Sequence, residues 1–200
     1  MIKTKLAEQI PKNCKEVYSM INARQVTALM FHDQMADYFD FLGLRGFKRL
    51  HEYQYLAESM EHRAIKRYYL NHHNALLPED EIESIDIIPD DWYQYTRMDV
   101  TPAVRKQSVQ SAMTDYRQWE TETKALYERL AGYLISWNMI ADFNKVNDLI
   151  KGVDTELKYL ERLCIDLKAV DYDPSFVEIL QDKYHEKYKE KSKELGVDIC

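Results

Sequence analysis

The chain has 200 residues and a formal net charge of −7, a length that suits one domain with a sizeable core and a charge that argues against a general nucleic-acid-binding protein. Its three cysteines are far apart and form no C-x-x-C pair, which argues against a disulfide framework or a zinc site and favours a reducing cytoplasm. The N-terminus has no apolar signal core, and no run approaches the roughly 18 apolar residues of a membrane span.

Helix formers dominate the chain, and glycine and proline number only five each, so we expect one all-α domain over residues 1–200. The first long helix is predicted at about residues 12–41 and the second at about 45–71, separated by a turn that contains Gly43 and Gly46. A turn of that length is typical between antiparallel neighbours. The inward stripes, at alternating three- and four-residue spacing, are Tyr18, Ile21, Gln25, Ala28, His32, Met35 and Phe39 in the first helix and Phe47, Leu50, Gln54, Ala57, Glu61 and Ala64 in the second.

Residues 72–100 lack helical periodicity and contain two prolines and an acidic run. A connection of about 30 residues is long enough to run along a whole bundle. We therefore interpret this segment as a crossover, with a short helix expected around Trp92.

Three more helices are predicted after the crossover. Thr101-Pro102 is typical of a helix start, with a capping hydroxyl and then proline at the first helical position, and this third helix runs to about residue 137. The fourth is predicted at about 139–168, which completes a bundle over about 12–168, and the fifth at about 174–195. The inward residues are Met113, Tyr116, Glu120, Thr123, Tyr127, Leu130 and Leu134 in the third helix, Val146, Leu149, Val153, Glu156, Leu160, Leu163 and Leu167 in the fourth, and Phe176, Ile179, Leu180 and Tyr184 in the fifth.

Each of the four long helices has a polar interruption near the middle of its apolar stripe. The interrupting residues are Gln25 with His32, Glu58 with Glu61, Glu120, and Glu156. A carboxylate that faces a bundle core is costly unless it is paired, protonated or bound to a metal. Oxygen-rich ligands from facing helices, with imidazoles, form the inward sites of carboxylate-bridged di-iron and di-manganese bundles. The competing interpretation is that each residue lies at a rim, extends to solvent, or hydrogen-bonds a neighbouring helix.

Residues 36–47, Ala-Asp-Tyr-Phe-Asp-Phe-Leu-Gly-Leu-Arg-Gly-Phe, resemble the end of the first helix and the following turn of bacterial ferritins. Counting on without gaps, the ferritin E-x-x-H motif falls on Glu58 and Glu61, and His62 follows at once. Counting back, the first-helix glutamate of ferritins falls on Gln25 and the tyrosine beside the site falls on His32.

The later helices extend the resemblance to about residues 17–167. Gln118-Trp-Glu-Thr-Glu-Thr places Glu120 at the ligand of the third helix. Asp154-Thr-Glu-Leu-Lys-Tyr-Leu-Glu-Arg-Leu resembles the ferritin fourth helix, with Glu156 at its glutamine, and is also similar to Dps proteins. Ile88-Pro-Asp-Asp-Trp resembles the end of the ferritin crossover. The sequence departs from the family where Gln25 replaces a charged ligand and Glu61 replaces the histidine.

The resemblance implies a ferritin-like antiparallel four-helix bundle with a long crossover between helices 2 and 3, an extra C-terminal helix, and assembly as a homo-oligomer with a closed shell. It implies ferroxidase activity, in which a di-iron centre binds Fe(II) and oxidises it with dioxygen or peroxide for iron storage or detoxification. Manganese suits the same oxygen ligands. The implied metal ligands are Glu58, Glu61 or His62, Glu120 and Glu156, and the supporting residues or weak ligands are Gln25, His32, Gln54 and Tyr127.

Two other functions stay open. A metal-free structural or DNA-associating, Dps-like protein would keep its inward carboxylates protonated or bonded to Tyr116, Tyr127 and Gln54, although four lysines near the N-terminus are a weak DNA signal. A di-metal oxidase acting on an organic substrate would need an apolar channel to the site.

Two histidine pairs lie outside this scheme. His72-His73 is predicted as an exposed pair in a loop with no third ligand at metal spacing. His51-Glu52 follows Leu50 much as in Dps proteins, whose metal site lies between subunits, but Lys66 and Leu70 occupy the places of the acidic Dps partners.

Overall fold

The computed structural model describes residue 6, residues 8–77 and residues 94–194. It contains the α-helices α1 (Cys14–Phe41), α2 (Arg45–His73), α3 (Pro102–Ser136), α4 (Ile140–Ala169) and α5 (Pro174–Glu194), and a short 3-10 helix at Arg97–Asp99. Within these ranges no residue is in a strand, and no helix is long and apolar enough to cross a membrane. The all-α prediction with four long helices and a fifth is confirmed. The short helix expected around Trp92 and the motif at residues 88–92 lie outside the described residues.

The helix ends follow local sequence signals. The Asn13 side chain accepts a hydrogen bond from the Glu16 N–H at 3.0 Å and caps α1. Thr101 caps α3 in the same way through the Val104 N–H, with Pro102 as the first helical residue. Gly43, with φ of 75°, supplies the left-handed residue that ends α1. This turn reverses the chain, so α2 returns antiparallel to α1.

Pairs of contacts between named residues fix how the helices are arranged. Tyr18 packs on Tyr69 and His32 on His51, so α1 and α2 run antiparallel. Arg24 donates a hydrogen bond to Thr123, and His32 lies edge-on to Tyr116, so α1 and α3 are also antiparallel. Lys124 of α3 pairs with Asp154 of α4, and Lys106 of α3 pairs with Asp171 just after α4, so α3 and α4 are antiparallel as well. The described helices thus form an antiparallel four-helix bundle.

The apolar core is divided into two clusters, one toward each end of the bundle. The cluster at the Gly43 end includes Phe31, Phe39 and Trp119, and the cluster at the other end includes Ile21 and Leu130. The predicted stripes of α1, α3 and α4 are buried apart from the half-buried Glu156. On α2 the stripe shifts by one residue after Glu61, because Ala64 is exposed and Ile65 is buried. The predicted polar residues lie at the middle of the bundle, between these two apolar clusters.

Helix α5 packs on α2 of the same chain. Its inward face consists of Val177, Leu180, Gln181, Tyr184 and Tyr188. Tyr184 contacts Phe47 and Tyr188 contacts Tyr53, so α5 runs parallel to α2. Two residues predicted to face inward, Phe176 and Ile179, are 55% and 68% exposed. That part of the prediction is wrong because α5 carries apolar residues on two faces, and contact with α2 selects the other one.

The backbones of α2 and α5 come into direct contact at Gly46. Its N–H donates to the side-chain oxygen of Gln181, and a Cβ at this position would overlap the Gln181 backbone carbonyl. The glycine therefore lets the two helices meet backbone to backbone.

Candidate metal centres in the bundle

The four predicted glutamates lie on three helices at the middle of the bundle: Glu58 and Glu61 on α2, Glu120 on α3 and Glu156 on α4. Glu120 is buried, with 2% exposure, and the other three are half-buried. Burial raises the pKa of Glu58, and repulsion from Glu156, Glu61 and Glu120 raises it further. Burial raises the pKa of Glu120 as well, with added repulsion from Glu156 and Glu61. The structure thus places the four carboxylates where they act on one another.

Gln25 reaches this cluster from α1. Its side-chain N–H donates to Glu61 Oε2 at 3.2 Å, and its own Oε1 is buried without a hydrogen-bond partner. Burial raises the pKa of Glu61, while the Gln25 hydrogen bond and the charge of Lys145 partly oppose that shift. The Gln25 amide therefore orients Glu61.

Arg24, one residue before Gln25, is a buried cation that interacts electrostatically with Glu120 and Glu58, and it lies outside the predicted apolar stripe. It is 1% exposed, and its guanidinium lies 3.3 Å from the centre of the Trp119 ring. It donates hydrogen bonds of 2.8 Å to the Trp119 carbonyl and to Thr123 Oγ1. Burial lowers its pKa to about 10, against attraction from groups that include Glu120 and Glu58. Arg24 is therefore charged at neutral pH and offsets part of the carboxylate charge.

Two fully buried histidines, His32 and His51, form a pair, and His32 lies next to Glu120. His32 Nδ1 and His51 Nδ1 share a hydrogen bond of 3.0 Å. Burial lowers the pKa of His32 to about 3, and burial together with His32 lowers the pKa of His51 well below its usual value. Both rings are therefore neutral at physiological pH. His32 Nε2 lies 3.9 Å from Glu120 Oε1, and neither atom has a hydrogen-bond partner.

His51 cannot be a ligand shared between subunits, because it is fully buried inside the bundle. The Dps-type alternative for His51-Glu52 is therefore wrong.

The remaining predicted residues have other partners close by. His62 Nε2 makes a 2.7 Å hydrogen bond with Asn22 Oδ1. Gln54 donates to the Tyr116 hydroxyl at 3.1 Å. Tyr127 is buried, and burial raises its pKa, with added repulsion from Glu58 and Glu61. Tyr127 thus belongs to the glutamate cluster, whereas His62 faces Asn22.

A cavity of about 340 Å³ lies beside Glu156, between α2, α4 and α5. Its lining combines apolar residues with several tyrosine rings and reaches Gln54 and Glu156. The lining residues are Leu50, Tyr53, Gln54, Ala57, Tyr116, Gly152, Thr155, Glu156, Tyr159, Leu160, Leu163, Tyr184 and Tyr188. A cavity of this size accommodates a small organic molecule.

A different cluster lies at the end of the bundle opposite the Gly43 turn. His73, the last residue of α2, places Nε2 2.8 Å from Asp142 Oδ1 and 3.7 Å from Cys14 Sγ. The expectation of an exposed loop pair without a third ligand is therefore wrong for His73, although His72 is 43% exposed. Burial and the charge of Asp142 raise the pKa of Cys14 to about 12, so this thiol is protonated when no cation is bound.

The two clusters differ in how closely their donor atoms converge. Over residues 8–77 and 94–194, the group of three histidine, cysteine or acidic residues with ligand atoms all within 4.8 Å of one another is Cys14, His73 and Asp142. The mid-bundle glutamates interact electrostatically but do not form such a group. Sequence spacing gave no signal for the Cys14 cluster, because its residues come from three distant parts of the chain.

No protein-family model matches the chain, and no curated protein sequence matches it. Nine chains of solved structures do match, including the following two. A novel open-pore ferritin from the hyperthermophilic archaeon Archaeoglobus fulgidus has a TM-score of 0.72 and 15% identity, covering 88% of this chain and 98% of the other. A closed form of the Archaeoglobus fulgidus ferritin, engineered by site-directed mutagenesis, has a TM-score of 0.71 and 15% identity, covering 88% and 97%. At this identity the similarity establishes the fold alone.

Proposed function

The chain has the ferritin-like fold, and from this premise we propose that its mid-bundle glutamates bind Fe(II) and that the protein oxidises it for storage or detoxification. The observation that supports the proposal is the repulsion among four carboxylates from three helices at one level of the core. Such crowding is unfavourable unless protons or cations compensate it.

Unsatisfied buried atoms support a cation at this level. Glu120 Oε1, His32 Nε2 and Gln25 Oε1 are all buried without a hydrogen-bond partner. Leaving such atoms unpaired typically costs about 1–3 kcal/mol each. A bound cation beside Glu120 would satisfy its free oxygen, and the carboxylate oxygens suit Fe(II) or Mn(II).

The residues divide into those that hold the cation and those that support them. Glu58, Glu120 and Glu156 are the proposed ligands. Glu61 is preferred over His62 as the next ligand, because Gln25 already orients it, whereas His62 would have to give up Asn22. Since the donor atoms are not yet converged, we expect side-chain rotations to accompany binding.

The other polar residues of the level would act on charge and on proton position. Arg24 limits the negative charge that builds up before the metal arrives. His32 of the neutral His51–His32 pair places its Nε2 3.9 Å from Glu120 Oε1, where it can donate or accept a hydrogen bond according to its tautomer. Iron supplies the electrons, and dioxygen or peroxide accepts them.

The adjacent cavity favours a second candidate function. A di-metal oxidase needs room for an organic substrate next to its site, and the 340 Å³ cavity reaches Glu156 through an apolar and tyrosine-rich lining. In this alternative the same glutamates hold iron or manganese, and a small apolar or aromatic molecule occupies the cavity.

Assembly as a homo-oligomer is part of the proposal. Helix α5 buries one face on its own bundle and leaves Phe176 and Ile179 exposed. A second copy of the chain would remove these side chains from water. Sedimentation velocity at micromolar concentration should give an oligomer, and a monomer would refute the closed shell.

The direct test measures Fe(II) binding and oxidation by the metal-free protein. We expect about two Fe(II) per chain under anaerobic conditions, the number that a two-metal site holds, followed by oxidation when oxygen is admitted. Glu120→Gln and Glu58→Gln should each weaken binding by at least about tenfold, the loss typical even for groups that only support a metal ligand. Glu128→Gln on the exposed face of α3 is the control and should leave binding unchanged.

One outcome of this test would favour the oxidase over the iron-oxidising protein, and another would refute the metal site that both functions share. Binding without rapid oxidation, but with oxygen consumption when a small phenol is added, would favour the oxidase. An absence of binding in the wild-type protein, or equal binding in Glu120→Gln and Glu128→Gln, would refute a cation site among the glutamates.

A further inference from the structure

The Cys14 cluster connects three helix ends that are far apart in sequence. Cys14 is the first residue of α1, His73 is the last of α2, and Asp142 lies in the first turn of α4. Cys14 and His73 are separated by 59 positions, and His73 and Asp142 by 69. We propose that these three side chains bind a divalent transition-metal cation of the Zn²⁺ type, at a site distinct from the mid-bundle glutamates.

The direction of the His73 ring argues for a shared cation. The same nitrogen, Nε2, lies closest to both Cys14 Sγ and Asp142 Oδ1. A cysteine nucleophile activated by histidine and aspartate needs the two ring nitrogens to face different partners. This arrangement therefore does not suit a proton relay. Three donor atoms that point at one another instead enclose a common point, as ligands around an ion do.

The separations are close to those of a tetrahedral site. With Zn–S near 2.3 Å and Zn–N or Zn–O near 2.0–2.2 Å, neighbouring ligand atoms lie about 3.3–3.6 Å apart. The Cys14 Sγ–His73 Nε2 distance is 3.7 Å. The His73 Nε2–Asp142 Oδ1 distance is 2.8 Å, a hydrogen bond that has to lengthen by about 0.5 Å when a metal replaces the proton. The third separation, between Cys14 Sγ and Asp142, is at most 4.8 Å and has to shorten by no more than about 1.3 Å.

The donor types select the metal class. A thiolate, an imidazole and a carboxylate together suit Zn²⁺ and its substitute Co²⁺, whereas Mg²⁺ and Ca²⁺ prefer oxygen ligands alone. The N-terminal end of α4, where Asp142 lies in the first turn, also favours the negative charge of this carboxylate ligand. The mid-bundle cluster has only oxygen donors in its four carboxylates, so the two sites differ in metal preference.

Asp142 is held for this role by a residue outside the three. It is 2% exposed, and the Tyr18 hydroxyl donates to its Oδ1 at 3.0 Å. Hydrogen bonds of this kind orient metal-binding carboxylates. His72 Nε2 lies 3.9 Å from Asp142 Oδ2, and its ring stacks on Tyr68. His72 or a water molecule would supply the fourth ligand.

The test uses Co²⁺ added to the full-length metal-free protein, because a cobalt–thiolate bond gives a charge-transfer absorption band that oxygen ligands do not. We expect this band at about one Co²⁺ per chain, the capacity of a single tetrahedral site, and its loss when Zn²⁺ is added. Cys14→Ser and Cys14→Ala should abolish the band. His73→Ala and Asp142→Asn should weaken Zn²⁺ binding by more than about 100-fold, and Tyr18→Phe by about 10- to 100-fold.

Matched controls separate this proposal from iron binding by the glutamates. Cys164→Ser removes another half-buried thiol, on α4, and should leave the band unchanged. Glu120→Gln should also leave it unchanged, whether or not that variant binds Fe(II). The helical signal in circular dichroism checks that each variant is folded. If one of the two Cys14 variants does not fold, the other is measured in its place. Absence of a thiolate band in the folded wild-type protein, or a band of wild-type intensity in the folded Cys14 variants, would overturn the site.

Discussion

The mid-bundle glutamate cluster and the Cys14 cluster at the bundle end are both polar groups in an apolar setting, but they are compensated differently. Among the glutamates, like charges repel, Glu120 Oε1 has no hydrogen-bond partner, and Arg24 offsets only part of the charge. At the bundle end, Asp142 already accepts hydrogen bonds from Tyr18 and His73. Without metal, we therefore expect the first cluster to destabilise the protein and the second to stabilise it.

Removal of the buried cation should have the largest effect on this contrast. Arg24→Met keeps much of the side-chain volume but leaves Glu58 and Glu120 without their compensating charge. Loss of one partner from a buried charge pair typically costs about 3–5 kcal/mol, so we expect a loss of that size in urea unfolding. The loss should be smaller in the Glu120→Gln background, since fewer charges then need compensation. Equal losses in both backgrounds would mean that Arg24 stabilises only through Trp119 and Thr123.

A smaller loss is expected where α5 meets α2. Gly46→Ala places a Cβ against the Gln181 backbone carbonyl, so α5 must move away. Overpacking of this kind typically costs about 1–3 kcal/mol. Hydrogen exchange should then be faster in α5, near the cavity beside Glu156, and unchanged around Cys14. Gly132→Ala on α3 has no atom near its Cβ position and is the control. Unchanged exchange in α5 after Gly46→Ala would show that the contact is not tight.

The bundle was predictable from sequence because its four helices are 28 to 35 residues long and keep an apolar stripe throughout. Thr101 and Gly43 then mark helix ends through capping and turn chemistry. Helix α5 was predicted with partly the wrong face, because Phe176 and Ile179 compete with Val177, and only packing on α2 decides between them.

The sites were predictable only where they coincide with the stripes. Gln25, Glu61 and Glu120 interrupt an apolar pattern, so periodicity finds them. Arg24 lies one residue off that pattern and is found only when Trp119 and Thr123 of α3 are placed against it. The Cys14 cluster depends on helix lengths and on antiparallel packing, which bring three helix ends together in a way that no local spacing encodes.

The pH dependence of stability should distinguish the two clusters without any metal. The pKa values of Glu58 and Glu120 are raised above their ordinary 4.5, so the folded state binds more protons than the unfolded state above that value. The free energy of unfolding should therefore fall as the pH rises above about 4.5. Glu120→Gln should flatten this slope, and Glu128→Gln should not. A slope that is the same in wild type and Glu120→Gln would mean that Glu120 is compensated in the folded protein.

The smallest effect is expected for Tyr18→Phe, which removes the hydroxyl that donates to Asp142 Oδ1 and keeps the ring packed on Tyr69. A buried hydrogen bond of this kind is worth about 0.5–1.5 kcal/mol, so the metal-free variant should unfold at slightly lower urea concentration. Glu120→Gln, which also removes one polar group from the core, should at neutral pH unfold at an equal or higher concentration than wild type, because it relieves repulsion. The two substitutions should change the free energy of unfolding in opposite directions only if the polar groups of the Cys14 cluster satisfy one another and those of the glutamate cluster do not. If Glu120→Gln is destabilising by as much as Tyr18→Phe, the glutamates are held by structural hydrogen bonds, and a cation is not needed at the middle of the bundle.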